Sequence, residues 1–138
     1  KAMTHENNKR TQIYSGSTFE ELAGYSRAVV VGDHVYVSGT VGINFQSGEL
    51  PEKASDQAEQ ALDTIEQALE QANSGMHDVV RVRIFLTSPD HVPSVSAVLK
   101  RRIGFTRPAN TTVCTALAVP DCLVEIEVEA RIGSGTPR

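Results

Sequence analysis

The chain has little of what would commit it to a membrane, a metal or a nucleic acid. No apolar run reaches the ~18–20 residues of a membrane span. The opening Lys1-Ala2-Met3-Thr4-His5-Glu6-Asn7-Asn8 is polar and lacks the apolar core of a signal peptide. Only two cysteines occur, Cys114 and Cys122. Two thiols without a secretory leader read as reduced, so the expected location is the cytoplasm. CxxC, HExxH, P-loop and GxGxxG signatures are all missing. The histidines are scattered, His5 in the tail, His34 in a turn, His77 and His91 at element ends. No ligand cluster forms, and neither metal nor other cofactor is expected. A cationic excess is also lacking: the net charge is −4 and the pI about 5.5. That weighs against a nucleic-acid partner, which needs clustered cations to displace phosphate counterions.

What is present is an ordinary globular composition, 40% hydrophobic and 22% charged over 138 residues. A chain of this length can bury roughly 68–70% of its unfolded surface in one core, without metal or disulfide. There are no internal repeats and no linker. The expected organisation is one domain over residues 10–132. Residues 1–9 read as a disordered or tag-derived tail and 133–138 as a flexible C-terminal tail.

Periodicity places the elements. Arg10–Tyr14 reads as a short edge strand, and Thr18–Leu22 as a helical turn capped by Thr18. Ser26–Val31 and His34–Thr40 flank Gly32-Asp33, a two-residue hairpin signature, and the Val run points to burial on both faces. About Ala54 to Ala72 is the clearest amphipathic helix, with Ala58, Ala61, Leu62, Ile65 and Leu69 in one stripe. In Val79–Thr87, alternation puts Val80, Val82, Ile84 and Leu86 on a core face and Arg81 and Arg83 on the other. Val92–Ile103 reads as a second helix started by Pro93. Two last strand-like runs, Arg107–Cys114 and one from Val124, are divided at Val119-Pro120-Asp121. The second aims Glu125, Glu127 and Glu129 at a single face.

The order β-β-β-α-β-α-β-β predicts an α/β (α+β) domain, a mixed sheet with two helices on one face. The other sheet face then needs a cover, and other subunits are expected to provide it. From the residues alone, the last two strands read as a simple hairpin.

In this order the chain resembles the Rid family (YjgF/YER057c/UK114), whose best-known branch hydrolyses enamines and imines such as 2-aminoacrylate. The resemblance rests on Val35-Tyr36-Val37-Ser38-Gly39-Thr40-Val41-Gly42, Ser47-Gly48-Glu49, the helix ending at Ala72, Asp78-Val79-Val80-Arg81-Val82, Arg107-Pro108-Ala109 and Val124-Glu125-Ile126-Glu127. It implies a chorismate-mutase-like (YjgF-like) fold with a six-stranded sheet. It also implies a homotrimer with small-molecule clefts between subunits, and a last strand inserted between Val35–Thr40 and Val79–Thr87.

The resemblance also assigns roles. Glu125 matches the carboxylate that positions the attacking water, the catalytic candidate. Its other reading is an exposed or salt-bridged strand Glu paired with Arg81 or Arg83. Tyr25 matches the cleft tyrosine, against a plain interface tyrosine. Gly39 matches the residue whose backbone lines the cleft, against a strand-end glycine admitting another chain. Asn110 stands where the deaminating branch has the arginine that holds the substrate carboxylate, directly after Pro108-Ala109. Losing that charge-assisted bond costs about 1.5–3 kcal/mol of binding. Thr112, a further substrate-binding candidate, replaces a residue that is often cysteine. Val92 replaces a cleft aromatic. Arg107 would point to the opposite strand face, which suits a rim or inter-subunit salt bridge, and Cys114, on the same face as Thr112, reads as a buried inert thiol against one near the cleft.

Three functions follow. The first is a Rid-like trimer that binds a small polar metabolite, its 2-aminoacrylate-type deamination lost or altered through Asn110. The second is an active hydrolase or deaminase on another enamine, imine or amide-like substrate. The third, disfavoured by the acidic pI, is an endoribonuclease or translation inhibitor.

Overall fold

The computed structural model describes residues 9–138; apart from Lys9, the tail expected over residues 1–9 lies outside them. Six strands form one mixed sheet: β1 (Arg10–Ile13), β2 (Ala28–Val31), β3 (His34–Val41), β4 (Val79–Leu86), β5 (Ala109–Cys114) and β6 (Val124–Arg131). Helix α1 (Thr18–Ala23) follows β1, α2 (Ala54–Gln71) follows β3 and α3 (Val92–Ile103) follows β4. The order across the sheet is β1-β2-β3-β6-β4-β5, antiparallel except for the parallel β4–β5 pair.

The last two strands are therefore not a hairpin. β6 lies between β3 and β4, as the family resemblance implied. A central strand is packed from both sides, and its helix-facing residues Val124, Ile126, Val128 and Ala130 are at most 2% exposed. They meet Ala58, Leu62, Ile65 and Leu69 of α2 and Val95, Val98 and Leu99 of α3 in one core. Arg102 joins α3 to α2 through Glu59, Asp63 and Glu66 at 2.7, 2.9 and 3.3 Å.

Smaller differences have local causes. Ser17, not Thr18, caps α1, its hydroxyl accepting from the Phe19 N–H. The β2 valines Val29–Val31 are only half-buried, because among the described residues one face of the sheet has no layer over it. Val80 is 40% exposed and Val79 is in the core. The β4–β6 register shifts between Val79 and Arg81, and an extra residue in one strand reverses which side chains face inward. Residues beyond β6 run back to the start of β4: Gly133 and Gly135 N–H groups donate to the buried Asp78 carboxylate at 3.1 and 3.0 Å. Among the described residues no helix is long and apolar enough to cross a membrane.

Candidate active site

β6 carries the three acids on the sheet face away from the helices, and the cross-strand register separates them. Arg83 lies opposite Glu127 and bonds it at 3.1 Å, with Glu129 at 3.9 Å. Arg81 donates to Thr111 instead. Glu125 lies opposite Phe85, and among the described residues it has no ion-pair partner. The reading of Glu125 as a strand Glu paired with Arg81 or Arg83 is not what the structure holds. Glu127 and Glu129 take that part.

Burial raises the Glu125 carboxyl above the usual glutamate range. The charge of Glu127 adds to this, and Arg27 opposes it. Glu125 faces a cleft of about 430 Å3 lined by Phe19, Tyr25, Arg27, Gly39 and Phe45 among others. Such a volume suits a small ligand.

The backbone of β3 shapes this cleft. Its register against β6 slips between Val37 and Thr40, so Ser38 and Gly39 form a bulge. Bulges re-aim side chains and carbonyls beside active sites. Here the bulge turns the Gly39 carbonyl to Arg27, whose Nη1 donates to it at 2.9 Å. Glu125 Oε2 packs on the Gly39 Cα, where a β-carbon would come within 2.5 Å. The close approach required of Gly39 is thus to Glu125 of the same chain. A Gly39→Ala variant should keep a near-native melting temperature, because the clash is with the end of a flexible side chain. A crystal structure of it should show the Glu125 carboxylate displaced; an unmoved carboxylate would contradict the packing.

Arg27 was not singled out in the sequence, yet it is 1% exposed, beside Glu20 at 5%. Its Nε donates to Glu20 at 3.0 Å and its Nη1 also to Thr40 Oγ1 at 3.1 Å. Glu20 accepts further from the Ser15 N–H at 3.0 Å and from the Ser15 hydroxyl. The available signal was an arginine directly before the apolar strand run Ala28–Val31, seven residues after a glutamate. A charge in such a place needs a buried partner.

Tyr25, Gly39 and Glu125 therefore come together. Asn110 and Thr112 do not join them within the chain. In β5, Asn110 pairs with Val82, Thr112 with Ile84 and Cys114 with Leu86, which places all three on the helix-side face of an edge strand. Asn110 lines a separate hollow with Val82, Ile84, Leu99 and Pro108. Its Oδ1 accepts from the Thr112 hydroxyl at 2.9 Å, which leaves the amide Nδ2 as a free donor among the described residues. Arg107 lines the same hollow. It precedes the strand in a left-handed turn at φ 51°, so strand parity does not turn it away from Asn110. Cys114 is exposed, because β5 is an edge, and the buried thiol is Cys122. Val92 stands at the start of α3, 36% exposed.

A family model described as Endoribonuclease L-PSP matches residues 16–132. The chain belongs to this family, the Rid family. Among its relatives, the 2-iminobutanoate/2-iminopropanoate deaminase of Dermatophagoides farinae is 34% identical over 109 residues, 78% of this chain and 85% of that protein. RutC family protein UK114 of Drosophila melanogaster is 34% identical over 126 residues, 91% of each chain. Rv2704 of Mycobacterium tuberculosis, a YjgF/YER057c/UK114 family member of known structure, superposes with a TM-score of 0.82 at 40% identity. That alignment covers 90% of this chain and all of that one. The Rid fold expected from the sequence is thus the fold observed.

Proposed function

We propose that the protein is a Rid-type homotrimer that binds a small polar metabolite in clefts between subunits, with 2-aminoacrylate-type imine deamination lost or altered at Asn110. One observation carries this reading. Glu125, Tyr25 and Gly39 share a cleft, while Asn110 and Thr112 sit on an exposed edge strand on the other side of the sheet. If the five act on one ligand, β5 must come from a second copy. The uncovered sheet face, with Tyr36 46% exposed, supports the same assembly, since packed subunits would bury it. Cytoplasmic location, with both thiols reduced, fits this reading.

The activity part is tested by generating iminoacids in situ with the protein and an arginine-bearing relative side by side. Hydrolysis by this protein is expected at about a tenth of the relative's rate or less, following the lost charge-assisted bond. Equal turnover would contradict it. A second reading, a hydrolase or deaminase for a different enamine, imine or amide-like substrate, is favoured by Glu125. An unpaired carboxylate with a raised pKa beside a cleft is suited to taking a proton from water.

A further inference from the structure

The proposed function gives Arg27 no part, although it is a cation 1% exposed in the cleft wall. Its Nε is engaged by Glu20 and its Nη1 by the Gly39 carbonyl and Thr40. Nη2 has no hydrogen-bond partner among the described residues. Every fully buried side-chain nitrogen and oxygen among those residues does have one. Nη2 is therefore not sealed in, and the space beside Arg27 is the cleft. The Tyr25 and Phe45 rings, with centroids 5.7 and 5.1 Å from Cζ, restrict the guanidinium to this setting.

Gly39 links this donor to an acceptor. Its carbonyl takes the Nη1 bond, and the Glu125 carboxylate packs on its Cα. The wall thus offers an N–H donor and a carboxylate acceptor on either side of one residue. Charge decides what fits against them. Arg27 is already matched by Glu20, so Glu125 is the uncompensated charge of the cleft. A ligand carboxylate would meet it with like charge; a neutral carbonyl would not.

We propose that Arg27 Nη2 holds the carbonyl oxygen of a neutral, amide-type ligand whose N–H turns to Glu125. This rests on the cleft reading above and narrows its ligand to a –CO–NH– edge in place of a carboxylate. Asn110 Nδ2, a donor without charge, suits the same ligand from the neighbouring β5.

Propionamide and propionate are suitable probes, matched in size and differing in charge. Each is titrated into 15N-labelled protein at neutral pH, following the Tyr25, Gly39 and Glu125 amides and the Arg27 side chain. Propionamide should move these signals and bind at least about tenfold more tightly than propionate. Its affinity should fall about tenfold in Arg27→Lys, which keeps the charge without Nη2. The same fall is expected in Glu20→Gln/Arg27→Met, which removes both buried charges together. Propionate binding as tightly as propionamide, as it would if Arg107 held the carboxylate, overturns the inference and leaves the cleft reading standing. Propionamide binding unchanged in both variants does the same. If neither probe moves a cleft signal, the cleft reading fails and the inference with it.

Discussion

An Arg27→Met variant is expected to lose about 3–5 kcal/mol of stability, the usual cost of breaking a buried ion pair from one side. The loss comes from what stays behind. Glu20 is 5% exposed and would keep its Ser15 donors, but the cation at 3.0 Å would be gone. The Gly39 carbonyl, held in the β3 bulge, would lose its Nη1 donor as well. Urea denaturation reads the change as a lower midpoint with a similar slope. Glu20→Gln/Arg27→Met, which leaves no unpaired charge, should recover most of the loss, because replacing both partners is far milder than stranding one. A single variant as stable as the parent would mean that water reaches Glu20 and that the pair is not buried in solution.

Asn110→Arg is expected to raise 2-aminoacrylate hydrolysis by about ten- to a hundredfold, the kinetic equivalent of one charge-assisted bond to a carboxylate. The site is permissive for the change. Asn110 is exposed on an edge strand, so the longer side chain overlaps no core residue, and Thr112 loses only one surface hydrogen bond. The gain requires the rest of the Rid machinery to be intact, with Glu125 free of ion pairs to handle the water. No gain, with Asn110→Arg folded, would mean that the Glu125 cleft is not shaped for this reaction. An activity already high in the parent would mean that Asn110 was never the limiting group.

Much of the fold was legible because local patterns agreed with their surroundings. The apolar stripe of α2 faces a single core, so periodicity alone located Ala58, Ala61, Leu62, Ile65 and Leu69. Parity arguments failed where the backbone leaves its regular period. The β4 bulge exchanged Val79 and Val80, and the left-handed turn at Arg107 removed that residue from the strand on which its direction was counted. The insertion of β6 between β3 and β4 came from family resemblance, since nothing local distinguishes a hairpin from a crossover between two strand-like runs. The split of the candidate residues across two faces of the sheet depends on which strand pairs with which, and that is a long-range property. Arg27 and Glu20 escaped notice for the same reason. A charge seven residues from its partner across a helix and a turn has no fixed spacing to read. The acids on β6 show the opposite case: their shared face was legible, and only the cross-strand register showed that Arg83 serves Glu127 and Glu129 and leaves Glu125 alone.

The central claim is that β5 of one copy completes the Tyr25–Gly39–Glu125 cleft of another. Isotope-filtered NMR tests it directly on a mixture of two differently labelled batches, unfolded and refolded together so that subunits exchange. The account predicts intermolecular contacts between the Thr112 and Val113 methyl groups of one copy and the Tyr25 or Phe45 ring of the next, in a particle three times the mass of the chain. A monomer with no such contacts, or an oligomer in which β5 meets some other surface, would contradict it.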